Sequence, residues 1–164
     1  MSPFIWQQVA PNGDSPHRPL SPEGESMGRT EDYLNFMLWV VRSDGNVDVN
    51  QKKRLLSVMV DGMDLQDGLV DGYRNALAQS EWADPTDEEL RKLAEGLDPL
   101  SLGNLVKDAY LMAWADGVLR DVEVNFVKRF LRVAGVPEAR LDAIDKWARQ
   151  AVDINRQAFE LFVR

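Results

Sequence analysis

Ala113-Trp114-Ala115-Asp116-Gly117-Val118-Leu119-Arg120-Asp121-Val122-Glu123 is the stretch on which the fold turns. Upstream of it, Leu102, Leu105, Val106, Ala109, Met112 and Ala113 recur at three- and four-residue intervals, the period of a helix with one buried face. Downstream, Val127, Phe130, Leu131 and Ala134 recur in the same way. Between the two lies Asp116-Gly117, a helix stop, because glycine takes the left-handed conformation at no steric cost. Leu102–Ala134 therefore reads as helix, tight corner, helix.

A weaker version of the same unit lies 72 residues earlier, centred on Ser43-Asp44-Gly45-Asn46-Val47. The shift matches Leu34 with Val106, Val41 with Ala113, Asp44-Gly45 with Asp116-Gly117, and Leu55 with Val127. Val58 falls on Phe130 and Met59 on Leu131. Apolar positions coincide while surface positions do not. That is the pattern of two pseudo-repeated helix-turn-helix units sharing a core.

Outward from these units the chain stays helical. Thr30-Glu31-Asp32 is expected to open the first helix, with a capping hydroxyl and acids in the first turn. From Tyr33 to Val41 only Asn35 is polar, so this helix belongs at the centre of the domain. A second helix begins near Asp48–Asn50 and is expected to close at Asp61-Gly62; a third spans about 64–79. Thr86 and Glu89 spell a capping box for the fourth. Asp98-Pro99 caps and opens the fifth, with proline at the first helical position. Asp121 is expected to cap the sixth. Pro137 opens the last, where apolar residues from Leu141 to Phe162 repeat every three or four positions. No segment alternates with period two. The fold class is all-α, with about seven helices.

Residues 1–28 carry five of the eight prolines and are read as an irregular or disordered arm, leaving 29–164 as one helical domain. Phe4-Ile5-Trp6 within the arm would dock on the domain itself or on a neighbour, including a second copy of the chain in a homo-oligomer.

Composition narrows the function. A net charge of −8 with no basic cluster excludes nucleic acid as a partner. No apolar run approaches the ~20 residues of a membrane-spanning helix, so no membrane insertion is expected. With no cysteine there is no disulfide, thiol nucleophile or zinc–thiolate site. Met1–Trp6 does not read as a signal peptide, and a cytoplasmic location is expected. The one histidine, His17, lies in the arm, leaving the helical body without an imidazole base. Neither a phosphate-binding Gly-rich loop nor a dinucleotide fingerprint occurs. The expectation is that the protein is not an enzyme and has no catalytic residues. Trp39, Trp82, Trp114 and Trp147 read as packing residues.

The C-terminal unit resembles the TerB-like (tellurite-resistance TerB) family. Its pattern is Ala-Asp-Gly, an aliphatic residue two positions on, then Glu at the start of the next helix. Ala115-Asp116-Gly117, Leu119 and Glu123 fit that pattern; the N-terminal unit departs from it, with Ser43 for the alanine and Gln51 for the glutamate. The resemblance covers about residues 30–160 and implies a small acidic helical bundle and a role in tellurite resistance or another stress response. It also implies metal-ion binding at acidic surfaces.

If the two corners approach each other, Asp44, Asp48, Asp116, Asp121 and Glu123 would lie near one end of the bundle. Hard cations such as Ca²⁺ or Mg²⁺ take oxygen ligands from such groups. Helix capping accounts for the same residues without a metal, since each sits beside a helix end. Asp44-x-Asn46-x-Asp48-x-Asn50 is not an EF-hand loop, because Val49 and Leu55 stand where that loop needs glycine and glutamate. The expected function is a non-enzymatic interaction module with a protein partner and an acidic surface; the alternative is a divalent-cation binder.

Overall fold

The computed structural model describes residues 23–58, 67–78 and 83–163. Seven α-helices lie among them: α1 (Glu23–Arg42), α2 (Val49–Ser57), α3 (Asp67–Ala78), α4 (Asp87–Glu95), α5 (Pro99–Ala113), α6 (Asp121–Val133) and α7 (Glu138–Phe162). No strand occurs among the described residues. Phe4-Ile5-Trp6 and His17, the expected stop at Asp61-Gly62, and Trp82 lie outside them.

The apolar run in the first helix has the consequence its composition predicts. Leu34, Phe36, Met37, Val40 and Val41 are fully buried, and α1 runs through the middle of the bundle against α5, α6 and α2. α5 is the second central helix, packed on α1 from one side and on α7 from another. Phe36 meets the α6 ring Phe130 at a centroid distance of 4.5 Å and Phe126 at 5.9 Å, both tilted. Offset and tilted aromatic contacts of this kind strengthen a core beyond its buried area.

Local signals set the starts of α2, α4 and α5. Asp48 caps α2, its carboxylate accepting from Asn50 N at 2.7 Å. Thr86 and Glu89 form the capping box of α4. Asp98 accepts from Leu100 N and Ser101 N, with Pro99 at the first helical position of α5. Each such cap contributes about 1 kcal/mol.

Three expectations are corrected. α1 begins at Glu23, not Thr30, so the helical chain starts six residues before the expected boundary at residue 29. Pro22 is the last proline before Pro85, and nothing after it forbids a helix. α6 is capped by Arg120, with Asp121 as its first helical residue.

The third correction concerns α7. Its first half packs as the periodicity requires, burying Leu141, Ala148 and Val152. From Asp153 to Val163 every residue is exposed, and Trp147 is half-exposed instead of packed. The reason is length. α7 has 25 residues, whereas its neighbours α5 and α6 have 15 and 13, so its last turns reach beyond these two helices.

Candidate functional site

The two Asp–Gly corners are built alike. Gly45 and Gly117 both take left-handed backbone, at φ +77° and +88°. Asp44 accepts from Asn46 N at 2.8 Å and Asp116 from Val118 N at 2.9 Å, so each aspartate ties down its own corner with the same two-residue turn. In the second corner α5 first tightens into a 3₁₀ turn over Trp114–Asp116.

Both corners are drawn to one cation. Arg120 Nη2 lies 2.5 Å from Asp116 Oδ2, and its Nε lies 3.6 Å from Asp44 Oδ2. The Asp116 carboxylate, chiefly through this hydrogen bond, holds the Arg120 proton more firmly than usual. The Asp116 side chain is 7% exposed and the Asp44 side chain 15%. These are not solvent-facing acids awaiting a ligand.

Beneath this bridge lies a buried amide–carboxylate pair. Gln51 Nε2 donates to Glu123 Oε1 at 2.6 Å and to the Ala113 carbonyl at 3.1 Å, and both side chains are fully buried. Each residue also serves its own helix start. Gln51 Oε1 accepts from Asp48 N at 3.2 Å, and Glu123 Oε2 accepts from Arg120 N at 3.1 Å. Gln51 and Glu123 are 72 residues apart, the spacing of the two corners. Burial pushes the Glu123 carboxyl up to about 7, against the hydrogen bonds from Arg120 N and Gln51 that pull it down.

Of the five acids proposed from sequence, the structure brings Asp44, Asp116 and Glu123 to one place. Asp48 and Asp121 do not join them through their carboxylates. Asp48 caps α2, and Asp121 is exposed in the first turn of α6, where the helix dipole favours an acid. Among the described residues no group of three or more histidine, cysteine, aspartate or glutamate side chains is arranged to hold a metal ion. The donor set also fits Ca²⁺ or Mg²⁺ poorly: its two aspartates face a guanidinium, and its buried glutamate accepts from an amide and a backbone N–H. A hard cation needs oxygen ligands that no other cation already occupies.

A second buried acid escaped sequence reasoning. Asp108 sits in α5 between Val106 and Ala109, two core positions, and is itself buried. Tyr33 OH approaches its Oδ2 at 3.5 Å and Lys107 Nζ its Oδ1 at 3.9 Å. Burial pushes its carboxyl up to about 6, the charges of Lys107 and Arg54 opposing. The available signal was an acid inside an apolar stripe. A third polar contact, Tyr110 OH donating to Asp145 Oδ1 at 2.6 Å, ties α5 to α7.

A family model described as Tellurite resistance protein TerB matches residues 32–146, a span that runs from α1 into α7 and contains both corners. No curated protein and no solved structure matches the chain.

Proposed function

Because the chain belongs to the TerB family of tellurite resistance proteins, we propose that it is a non-enzymatic helical module of a stress response that acts by binding another protein. The observation that carries this reading is the end of α7. Ile154, Phe159, Leu161 and Phe162 are 62 to 79% exposed within two and a half turns of helix. Clustered large apolar side chains on a surface mark a place where another molecule sits. At the other end of the same helix, Leu102, Val106, Leu131, Ile144 and Trp147 line an apolar groove of about 500 Å³. Half-exposed Trp147 belongs both to this groove and to the helix that carries the exposed residues. The chain's net charge of −8 favours a partner that is basic overall.

The buried acids support the non-enzymatic reading. Asp108 and Glu123 have raised pKa values, but each is engaged by neighbours within the bundle. Neither lines the α5–α6–α7 groove or the cleft of about 280 Å³ beside Asp32, Lys92 and Asn104. The divalent-cation reading would need Arg120 to leave Asp44 and Asp116, and no observation favours that movement.

The experiment is a comparison of the wild type with the double variant Ile154→Asp/Leu161→Asp as baits in extracts of the native cells. Both positions are exposed, so the variant should melt within a few degrees of the wild type. A partner retained by the wild type should fall at least about tenfold in the variant, the loss of hot-spot contacts. An unchanged set of retained proteins would remove the α7 reading.

A further inference from the structure

We propose that Arg120 is a built-in counter-cation for the two Asp–Gly corners. Its guanidinium bridges Asp116 and Asp44, so in this chain the corners are joined without a metal.

The position of Arg120 is the first reason. It is the N-cap of α6, where Ser, Thr, Asp or Asn would accept a hydrogen bond from the first turn. A guanidinium has donors only and cannot do this. The residue 72 positions earlier, Asp48, is an ordinary cap with its carboxylate on Asn50 N. Arginine at this place therefore weakens the local helix start, and its side chain must be held by something else. What holds it is the pair of aspartates, at 2.5 Å and 3.6 Å.

The charges around it are the second reason. Asp44 and Asp116 both meet the Arg120 guanidinium, while Glu123 accepts from the Arg120 backbone N–H and from Gln51. Gln51 is neutral where the matching residue, Glu123, is an acid. The neutral amide of Gln51 and the positive charge of Arg120 act in the same direction: each lowers the negative charge that a free cation would otherwise have to balance. Arg120 Nη1 is buried on the corner side with no hydrogen-bond partner among the described residues, while the side chain as a whole is 36% exposed.

The test uses terbium(III), a luminescent probe for oxygen-ligand sites, together with thermal melting in EDTA, Ca²⁺ or Mg²⁺. Trp114, in the turn that carries Asp116, serves as the sensitiser. The wild type should give no saturable sensitised emission and the same melting temperature with EDTA or Ca²⁺. Arg120→Ala should melt lower in EDTA, regain stability in Ca²⁺, and bind terbium at least about tenfold more tightly than the wild type. Arg120→Lys, which keeps the charge, should remain insensitive to metal. Where Arg120→Ala does not fold, adding Asp44→Asn and Asp116→Asn decides the matter. Recovery of the folded state supports unbalanced acids as the defect, and no recovery overturns the proposal. Terbium binding to the wild type as tight as to Arg120→Ala also overturns it.

Discussion

Gln51→Glu is expected to destabilise the protein by about 3 kcal/mol at pH 8, with most of the loss recovered below about pH 5. Gln51 Nε2 is 2.6 Å from a Glu123 oxygen, and both residues are fully buried. The substitution places two carboxylates in contact and removes the donor to the Ala113 carbonyl. Two acids at that distance cannot both ionise, so one must hold a proton well above its ordinary range. The sign of the pH dependence follows from the wild type. Burial raises folded Glu123 to about 7, against about 4.3 in an unfolded chain. Between those values the folded state binds more protons, so stability falls as pH rises through the window and levels off above it. The variant should show a slope of the same sign, steeper and extended to higher pH. Melting temperatures from pH 4 to 9 check this. A variant as stable as the wild type at pH 8 would mean that Gln51 and Glu123 do not meet.

Phe130→Ala is expected to cost about 4 kcal/mol, or a fall of about 10 °C in melting temperature for a chain of this size. Phe130 is fully buried on α6, and its ring lies 4.5 Å from that of Phe36 on α1. It therefore joins the first helix-turn-helix unit to the second at the centre of the core. Truncation removes the aromatic contact and leaves a cavity that α1, packed by five other fully buried or nearly buried side chains, cannot collapse to fill. Chemical denaturation with the slope held common to both proteins measures the difference. A loss under about 1 kcal/mol would show that the interface between α1 and α6 is not packed as described.

Much of this architecture could be read from spacing alone. The three- and four-residue intervals of Leu102–Ala113 and Val127–Ala134 located α5 and α6. Thr86, Asp98 and Pro99 located the starts of α4 and α5, because a cap is a local interaction between residues two or three apart. At the starts of α1 and α6 sequence reasoning failed locally, but for the end of α7 and for the corner site the cause was not local. The periodicity of α7 continues to Phe162, but burial depends on how far the neighbouring helices extend. Arg120 gave no sign of its role, since its partners are Asp44, 76 residues away, and Asp116 across the corner. Gln51 departs from the family pattern in sequence, yet its role as a buried donor to Glu123 depends on contact between the two units. The five acids were found by type and corner position. That three of them converge and two serve helix starts is a property of side-chain direction, which spacing does not give.

The Asp–Gly corners are satisfied internally, by Arg120 and by the Gln51–Glu123 pair. Carbon-detected NMR of side-chain carboxylates during Ca²⁺ titration tests this most directly, carried to about 10 mM so that even weak oxygen-ligand sites would fill. The Asp44, Asp116 and Glu123 carboxyl resonances should stay where they are, apart from small linear drifts shared with exposed acids such as Asp142. Saturable shifts at those three residues, accompanied by release of Arg120 from Asp116, would contradict it.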